Sequence, residues 1–279
     1  MLSAISTKGE TNMQFRLVKV AGVDDAIISL FMSKRSYTCE KADNVRRTVA
    51  KYSDHAGFIH LPDNDTQETA QIRDWLENIT KYGAQLGYKR NHETILRFID
   101  FTVETVGLHK AGMGDLDAHA QRMNNRIVRS SSRLAEFASG EKSEFYDEKV
   151  MSVGEVISLM RESKAEVNIP ETVEINGVDY RFNGFGYIRK GYCDDQDVIR
   201  GTYMLSIPSD SIWKADFIGM KHIYAMRNKH THAHPELRDG MEQVAGQIEQ
   251  ALPIVGKAIT NEWVNGEWVH VSETEFKKR

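Results

Sequence analysis

The chain has 279 residues, of which 41% are hydrophobic and 27% are charged, a composition typical of soluble globular proteins. Its 36 basic and 40 acidic residues give a net charge of −4 and are spread along the chain, which argues against a general nucleic-acid or membrane-surface binder. Two cysteines, Cys39 and Cys193, are too few for a disulfide framework or a cysteine-rich zinc site within one chain. No apolar run approaches the roughly 18 to 20 residues of a membrane span, and the first 13 residues lack a signal-peptide apolar region. We therefore expect a cytoplasmic protein with a flexible N-terminus over residues 1–13.

The N-terminal half alternates between strand and helix patterns. Acidic residues Asp24 and Asp25 can start a helix after the first strand, and apolar residues recur at helical spacing over 66–82. Residues 94–106 are rich in β-branched and aromatic side chains, which favours a strand. The predicted elements are, in chain order, a strand over 15–20, a helix from Asp24, a helix over 66–82, a strand over 96–105, a glycine-containing loop over 107–114 and a helix from Asp115 or Asp117.

The C-terminal half predicts two hairpins and two helices. Asn176 and Gly177 lie between β-type flanks over 174–188, although a second turn signal at Asn183 blurs the register. Amphipathic helices are predicted over 211–227 and 235–259, and a small hairpin turns at Asn265 and Gly266. With no repeat and no linker, we expect an α+β fold with a central, mostly antiparallel sheet and long helices, in a single domain over 14–260 followed by a hairpin and tail over 261–279.

Four arginines, Arg122, Arg126, Arg129 and Arg133, are spaced by four, three and four residues. On a continuous helix they share one face, where like charges repel unless an anion or an acidic surface relieves them. Arginine also suits bidentate recognition of phosphate. The spacing leaves two interpretations open, an anion site and a solvated basic face with ion pairs.

His230, His232 and His234 form a His-x-His-x-His run that could ligate a metal if the segment is extended. Because the run lies between two predicted helices and has no companion carboxylate cluster, a polar connector is the favoured interpretation, and we predict no metal site. A glycine-rich nucleotide loop and a Gly-x-Ser-x-Gly elbow are both absent from the sequence.

Several separated segments, taken in order, resemble the flavin-dependent thymidylate synthases. Residues 32–37, Met-Ser-Lys-Arg-Ser-Tyr, resemble the family's early Arg-x-Ser stretch, which would place Ser36 near the flavin phosphate. The run Asn-His-Glu-Thr at 91–94 resembles its His-x-Thr motif, which would place His92 and Thr94 beside FAD. The resemblance spans about residues 15–255, apart from a stretch around 151–192.

The arginine-rich segment falls where the family carries its nucleotide signature. Residues 121–127 align with the Arg-His-Arg motif, of which Arg126 is retained, and residues 131–133 resemble the Ser-Gly-Arg segment that holds the uracil and phosphate of dUMP. Residues 216–227 and 232–234 are similar to the last substrate helix, whose arginine contacts dUMP. The departures are that Asn124 and Asn125 replace an arginine and a histidine, that the link to residue 131 is shorter, and that Arg97 stands where the family has an acid.

The resemblance implies a role for each matching residue. The implied catalytic residues are Ser131, Arg133 and Arg227. The implied flavin contacts are Ser36, His92, Thr94, Asn125, Arg126, Asp216 and His222. The implied nucleotide contacts are Gln121, Ser131, Ser132, Arg133, Arg200, Arg227 and His232.

The implied activity is reductive methylation of dUMP to dTMP by a homotetramer with the thymidylate synthase-complementing type of fold. Reduced FAD delivers a hydride after a methylene group passes from methylenetetrahydrofolate to C5 of dUMP, and NADPH reduces the flavin again. No cysteine nucleophile is needed, in agreement with Cys39 and Cys193 lying outside every matched motif. One alternative is a relative that acts on another pyrimidine nucleotide or leaves a hydroxymethyl product, and another is a nucleic-acid-binding module, disfavoured by the acids and the few aromatics around the arginines.

Overall fold

A computed structural model describes residues 13–64, 66–86, 91–119, 126–129, 153–163, 169–194 and 208–274, with the backbone alone over 126–129. The strands are β1 Gln14–Ala21, β2 Asp100–His109, β3 Arg126–Arg129, β4 Thr172–Ile175, β5 Val178–Phe182, β6 Tyr187–Arg189, β7 Pro208–Asp216, β8 Asn261–Val264 and β9 Glu267–His270. The helices are α1 Val23–Ser33, α2 Cys39–Tyr52, α3 Gln67–Thr80, α4 Glu93–Leu96, α5 Lys110–Asp117, α6 Val153–Glu162, α7 Phe217–Arg227, α8 Pro235–Ala251 and α9 Lys257–Thr260. A π-helical turn Lys81–Gln85 extends α3, and 3-10 turns cover Lys190–Tyr192 and Val271–Glu273.

These elements form a four-stranded sheet of order β1-β2-β7-β3, a three-stranded antiparallel sheet β4-β5-β6 and the antiparallel hairpin β8-β9. The predicted α+β class is thus confirmed. None of the helices in the described residues has the length and apolar character needed to cross a bilayer.

The chain divides into two compact units, each considered by itself. The larger unit comprises residues 14–105, 114–128 and 211–279, and the smaller comprises 1–13, 106–113 and 129–210. The domain bounds expected from the sequence stay a prediction.

In the larger unit, helix α8 covers the edge strand β1. The side-chain oxygens of Gln243 and Gln247 accept the backbone N–H groups of Phe15 and Leu17, at 3.2 and 2.7 Å, and Gln247 Nε2 donates to Phe15 O at 2.9 Å. These side-chain amides form hydrogen bonds with backbone groups that have no partner strand on the outer side of β1. The same helix buries Val244 and other apolar residues, so it also supplies much of the core.

Strands β2 and β7 are tied together by side chains. The buried Trp213 donates from Nε1 to Thr105 Oγ1 at 3.0 Å, and Lys214 Nζ lies 2.8 Å from Asp100 Oδ2. Residue numbers rise from 213 to 214 along β7 while those of their partners fall from 105 to 100 along β2, as expected for antiparallel strands. Helix α7, which follows β7 directly, is thereby fixed against the sheet.

In the smaller unit, the predicted turn at Asn176 and Gly177 is confirmed. Both residues have positive φ, 53° and 76°, as a two-residue hairpin turn between β4 and β5 requires. The second turn signal is real as well, because Asn183 Oδ1 accepts the N–H groups of Phe185 and Gly186 and turns the chain into β6. The two signals that blurred the register belong to two consecutive hairpins.

The predictions for β1, α1, α3 and the β8-β9 hairpin are confirmed, whereas the prediction for residues 96–105 is wrong at its start. Helix α4 covers Glu93–Leu96 and β2 begins only at Asp100. The strand then continues to His109 and α5 covers Lys110–Asp117, so the predicted loop over 107–114 and the helix predicted to start at Asp115 or Asp117 are also wrong. Gly107 has a φ of 74° within the strand, while the N–H of Gly112 donates to His109 Nε2 at 2.7 Å in the first turn of α5. Glycines that predicted a loop therefore lie inside regular elements.

Two further helix predictions need correction, and so does the condition on which the arginine face depends. Residues 211–216 belong to β7 and not to a helix. The buried positions alternate through 209, 211, 213 and 215, but the first two are serines, so the alternation of apolar residues is not visible in the sequence. Helix α8 ends at Ala251, before the predicted end at 259. Residues 126–129 form strand β3, so the continuous helix required for an arginine face is absent there. Helix α2 was not predicted, since only Ala42, Val45 and Val49 mark its apolar face.

Candidate functional site

A cavity of about 540 Å³ lies in the larger unit where helix α7 ends, within the size range of small-molecule sites. Asp115 of α5 contributes one wall, and the rest comes from the end of α7 and from residues 228–234, which we call the pocket loop. The lining residues are Asp115, Met226, Arg227, His230, Thr231, His232 and Ala233.

Arg227 is the last residue of α7, where a cation also complements the helix dipole. Its Nη1 donates to the carbonyl of Met226 at 3.0 Å. Its Nε is buried and has no hydrogen-bond partner among the described residues. Arg227 is half-buried, and a permanent cation that lines a pocket favours an anionic ligand there.

Asn228 sets the course of the pocket loop. This residue is fully buried, and its Oδ1 accepts the N–H of His230 at 2.9 Å while its Nδ2 donates to Ala225 O at 3.2 Å. Its carbonyl accepts the N–H and the hydroxyl of Thr231, at 3.0 and 2.8 Å. The side chain and the carbonyl of Asn228 therefore end α7 and turn the chain, so that residues 230 to 233 line the cavity.

Helix α8 holds the pocket loop at two more points. Arg238 Nη1 donates to Thr231 O at 3.2 Å, and Glu242 Oε1 accepts the N–H of Lys229 at 3.0 Å. His234 caps the helix, since its Nδ1 accepts the N–H of Glu236 at 3.3 Å. The histidine run thus lies in a connector between two helices, as the favoured interpretation of the sequence has it.

A hydrogen-bonded group lies behind the pocket loop. The hydroxyl of Tyr224 is 3.2 Å from both carboxylate oxygens of Glu242 and 3.0 Å from His270 Nε2. Burial raises the pKa of Tyr224, and the neighbouring Glu242 raises it further, so the phenol stays protonated and donates to the carboxylate. The His270 ring also packs edge-on against His230, with ring centroids 5.3 Å apart.

Ser36, an implied flavin contact, lies in a basic turn after α1. Its hydroxyl donates to Phe31 O at 3.3 Å, and its carbonyl accepts Lys41 Nζ at 2.9 Å. Lys34 and Arg35 precede it, and Arg35 holds a φ of 54°. The Ser36 hydroxyl and Lys41 thus already have protein partners, so Lys34 and Arg35 are the cations of this turn that could meet a phosphate of a flavin nucleotide.

His92 and Thr94 are both exposed, His92 directly before α4 and Thr94 within it. Beside them, Asn91 Oδ1 is buried and accepts no hydrogen bond from the described residues. An imidazole, a hydroxyl and an amide oxygen on one short segment are a donor and acceptor set that fits the polar edge of a flavin.

Asp216 and His222, two other implied flavin contacts, already have protein partners. Asp216 Oδ1 accepts the N–H of Gly219 at 2.6 Å as the cap of α7, and Oδ2 pairs with Arg97 Nη1 at 2.9 Å. His222 packs edge-on against the buried His119, with ring centroids 5.7 Å apart. Asp216 therefore has a structural role that the sequence motif did not indicate.

Of the implied nucleotide contacts, the structure brings Arg227 and His232 together in one pocket. Gln121, Asn125, Ser131, Ser132, Arg133 and Arg200 lie outside the described residues, and only the backbone of Arg126 is described. Sequence reasoning missed Asp115, which was predicted only as a possible helix start, and Asn228, whose place directly after a helix was its one signal.

The structure is similar to two groups of solved structures. One is a UMP/dUMP methylase PolB from Streptomyces cacaoi bound with 5-Br dUMP, at 13% identity and a TM-score of 0.47, over 90% of this chain and 95% of that one. The other is thymidylate synthase X (ThyX) from Helicobacter pylori with FAD and dUMP, at 14% identity and a TM-score of 0.45, over 88% of this chain and 99% of that one. No family model and no curated protein matches the sequence.

Proposed function

We propose that this chain is a flavin-dependent enzyme that modifies C5 of a uridine nucleotide, and specifically that it methylates dUMP to dTMP. The observation that carries the proposal is that Arg227 and His232, which the sequence motifs assign to the nucleotide, line one cavity of suitable size. The pocket loop adds His230 to the same wall.

The charge of this wall suits a phosphate monoester. Arg227 is permanently cationic, and its buried Nε lacks a partner among the described residues. His230 and His232 add imidazole donors from the pocket loop. Charge-assisted hydrogen bonds to phosphate are among the strongest polar contacts, so this group would anchor the nucleotide.

Asp115 gives the pocket a second chemistry. Its half-buried carboxylate lines the same cavity, where an ionised carboxylate can only accept hydrogen bonds. A ligand that satisfies this pocket would carry an anionic group together with N–H or O–H donors. A uridine nucleotide has both, because its phosphate is anionic and its uracil imide and sugar hydroxyl groups are donors. Free phosphate lacks the N–H donors that could bond to Asp115.

In this proposal Ser36, with the basic residues around it, and the pair His92 and Thr94 would hold FAD. When bound and reduced by NADPH, the flavin supplies the hydride that completes the methyl group. The carbon comes from methylenetetrahydrofolate, which leaves as tetrahydrofolate, and C5 of the uracil gives up its proton. The chain itself would bind and orient the reactants and exclude water, which are the main contributions of a protein to a cofactor reaction. A homotetramer, in which neighbouring subunits complete each site, is part of the proposal.

The test uses the purified full-length chain. Yellow absorbance that is bleached by NADPH, and release of tritium from [5-³H]dUMP that requires methylenetetrahydrofolate, are the expected results. Product analysis separates dTMP from a hydroxymethyl nucleotide. Turnover of dCMP without turnover of dUMP would favour the related pyrimidine-modifying enzyme, for which the asparagines at 124 and 125 are the motivation. Salt-sensitive binding of oligonucleotides by a colourless protein would contradict both.

A further inference from the structure

The hairpin β8-β9 reaches the pocket through one histidine. His270 is the last residue of β9, and its ring lies between the hydroxyls of Tyr224 and Ser272. Its other neighbour is the ring of His230, which lines the cavity. No motif of the sequence singled out His270, Tyr224 or Glu242.

The hydrogen bonds around His270 determine which nitrogen carries its proton. The backbone N–H of Ser272 points at Nδ1 from 3.2 Å, and the Ser272 hydroxyl lies 2.7 Å from the same atom. A backbone N–H can only donate, so Nδ1 must be the acceptor. The neutral ring then carries its proton on Nε2 and donates it to Tyr224 Oη at 3.0 Å.

The chain of donors continues into the pocket loop. Because Tyr224 accepts from His270, its own proton is directed to the carboxylate of Glu242. That carboxylate also accepts the N–H of Lys229, the residue before His230. The group of Ser272, His270, Tyr224 and Glu242 therefore contacts the pocket loop twice, at the ring of His230 and at the backbone of Lys229.

We propose that His270 is a positioning residue for the nucleotide pocket, which acts in its neutral form by fixing the ring of His230 and the start of the pocket loop. This inference rests on the proposed function for the identity of the ligand. It adds a role for the C-terminal hairpin, which shapes the binding wall from behind without touching the ligand.

The surroundings of His270 disfavour the protonated ring. A proton on Nδ1 would oppose the N–H of Ser272, because both would be donors. Burial lowers the pKa of His270, as do His230 and Lys229, while the carboxylates of Glu242 and Glu273 act in the opposite direction. Protonation would therefore loosen the contact with Ser272 and turn a cation towards the pocket loop.

The first experiment needs no nucleotide. The ring signals of His230 are followed by NMR in protein carrying labelled histidine and are assigned with His230→Gln. We expect these signals to move in Tyr224→Phe, which keeps the ring but cuts the donor chain, and in His270→Phe. His55→Gln, at an exposed histidine elsewhere, is the matched control and leaves them in place. Unmoved His230 signals in both pocket variants would overturn the proposal.

The second experiment measures dUMP. We expect Tyr224→Phe and His270→Phe to raise the Kd and the KM for dUMP by roughly three- to ten-fold, the effect of removing one hydrogen bond, with kcat little changed. We also expect the pH dependence of dUMP affinity to differ between wild type and His270→Phe, because the variant lacks the ring whose protonation disturbs His230. Identical pH profiles for the two proteins would contradict the neutral-form requirement.

Ser272→Ala covers the case in which His270→Phe does not fold, because it removes only the hydroxyl and keeps the backbone N–H. It is expected to shift the His230 signals and the dUMP affinity in the same direction by a smaller amount, and no shift in either would count against the proposal. Failure of the wild-type protein to bind dUMP would refute the proposed function, whereas the His230 signals alone would then still decide the role of His270.

Discussion

Arg97 and Asp216 form an ion pair of 2.9 Å that joins the segment between α4 and β2 to the start of α7. The second oxygen of Asp216 caps α7 at the N–H of Gly219. Since α7 ends at Arg227, this carboxylate fixes the helix that carries the arginine to the pocket. A residue that the motif assigned to the flavin thus has a structural role at the start of the helix that ends at Arg227.

The first prediction concerns Asp216. Asp216→Ala removes the helix cap and the ion pair, and is expected to lower the free energy of unfolding by about 1 to 2 kcal/mol, most of it from the cap. Asp216→Asn keeps a capping oxygen and should lose less than about 1 kcal/mol, as should Arg97→Ala. Urea unfolding of the three variants measures this order. Equal stability of wild type and Asp216→Ala would show that the cap contributes nothing.

The second prediction concerns Arg227. Arg227→Ala removes the permanent cation from the pocket, and is expected to weaken dUMP binding by about 2 to 4 kcal/mol, because a charge-assisted hydrogen bond to the phosphate is lost. Isothermal titration calorimetry measures the change. Arg46→Ala is the control, because Arg46 lies exposed on α2 in an ion pair with Asp43. An unchanged affinity in Arg227→Ala would place the nucleotide elsewhere.

The third prediction is a dependence of stability on pH. The pKa of His270 lies below its ordinary value of 6.5, chiefly because burial disfavours the charged ring. The unfolded chain therefore binds the proton more readily than the folded one, and stability rises with pH between the two pKa values. This contribution is complete above about pH 6.5 and is lost as the pH falls through the window below it. Unfolding of wild type and His270→Gln at several pH values checks the sign, and a steeper acid loss in the variant would contradict it.

The fourth prediction compares two glycines. Gly22 precedes α1 with a φ of 78°, and a Cβ there would lie 1.9 Å from Phe98 O, so Gly22→Ala is expected to destabilise the fold by more than about 1 kcal/mol. Gly246 lies exposed within α8, and an added Cβ would meet no atom within 4 Å. Gly246→Ala should therefore stabilise the protein by roughly 0.5 to 1 kcal/mol. Thermal unfolding measures the stability of both variants, and changes in the free energy of unfolding that have the same sign would contradict the prediction.

Elements whose cause lies within a few neighbouring residues could be predicted from the amino-acid sequence. Turn residues at 176 and 177 or at 265 and 266 need only their own backbone preference to form hairpins, and the spacing of apolar residues in α3 is enough to predict an amphipathic helix. Tertiary packing overrode such patterns in β7, where buried serines follow the strand, and in β2, which continues through Gly107.

Which polar residues come together in the pocket depends on the folding of the whole chain. Asp115, Arg227 and His230 come from separate elements of the chain, and a pocket exists because α7, Asn228 and α8 bring the loop back towards α5. Arg97, which pairs with Asp216, and Tyr224, which bonds to His270, are likewise distant in sequence from their partners, so no spacing in the sequence predicts these contacts. Local backbone preferences act over a few residues, whereas the charge, burial and protonation of a site depend on neighbours that folding alone brings within hydrogen-bonding distance.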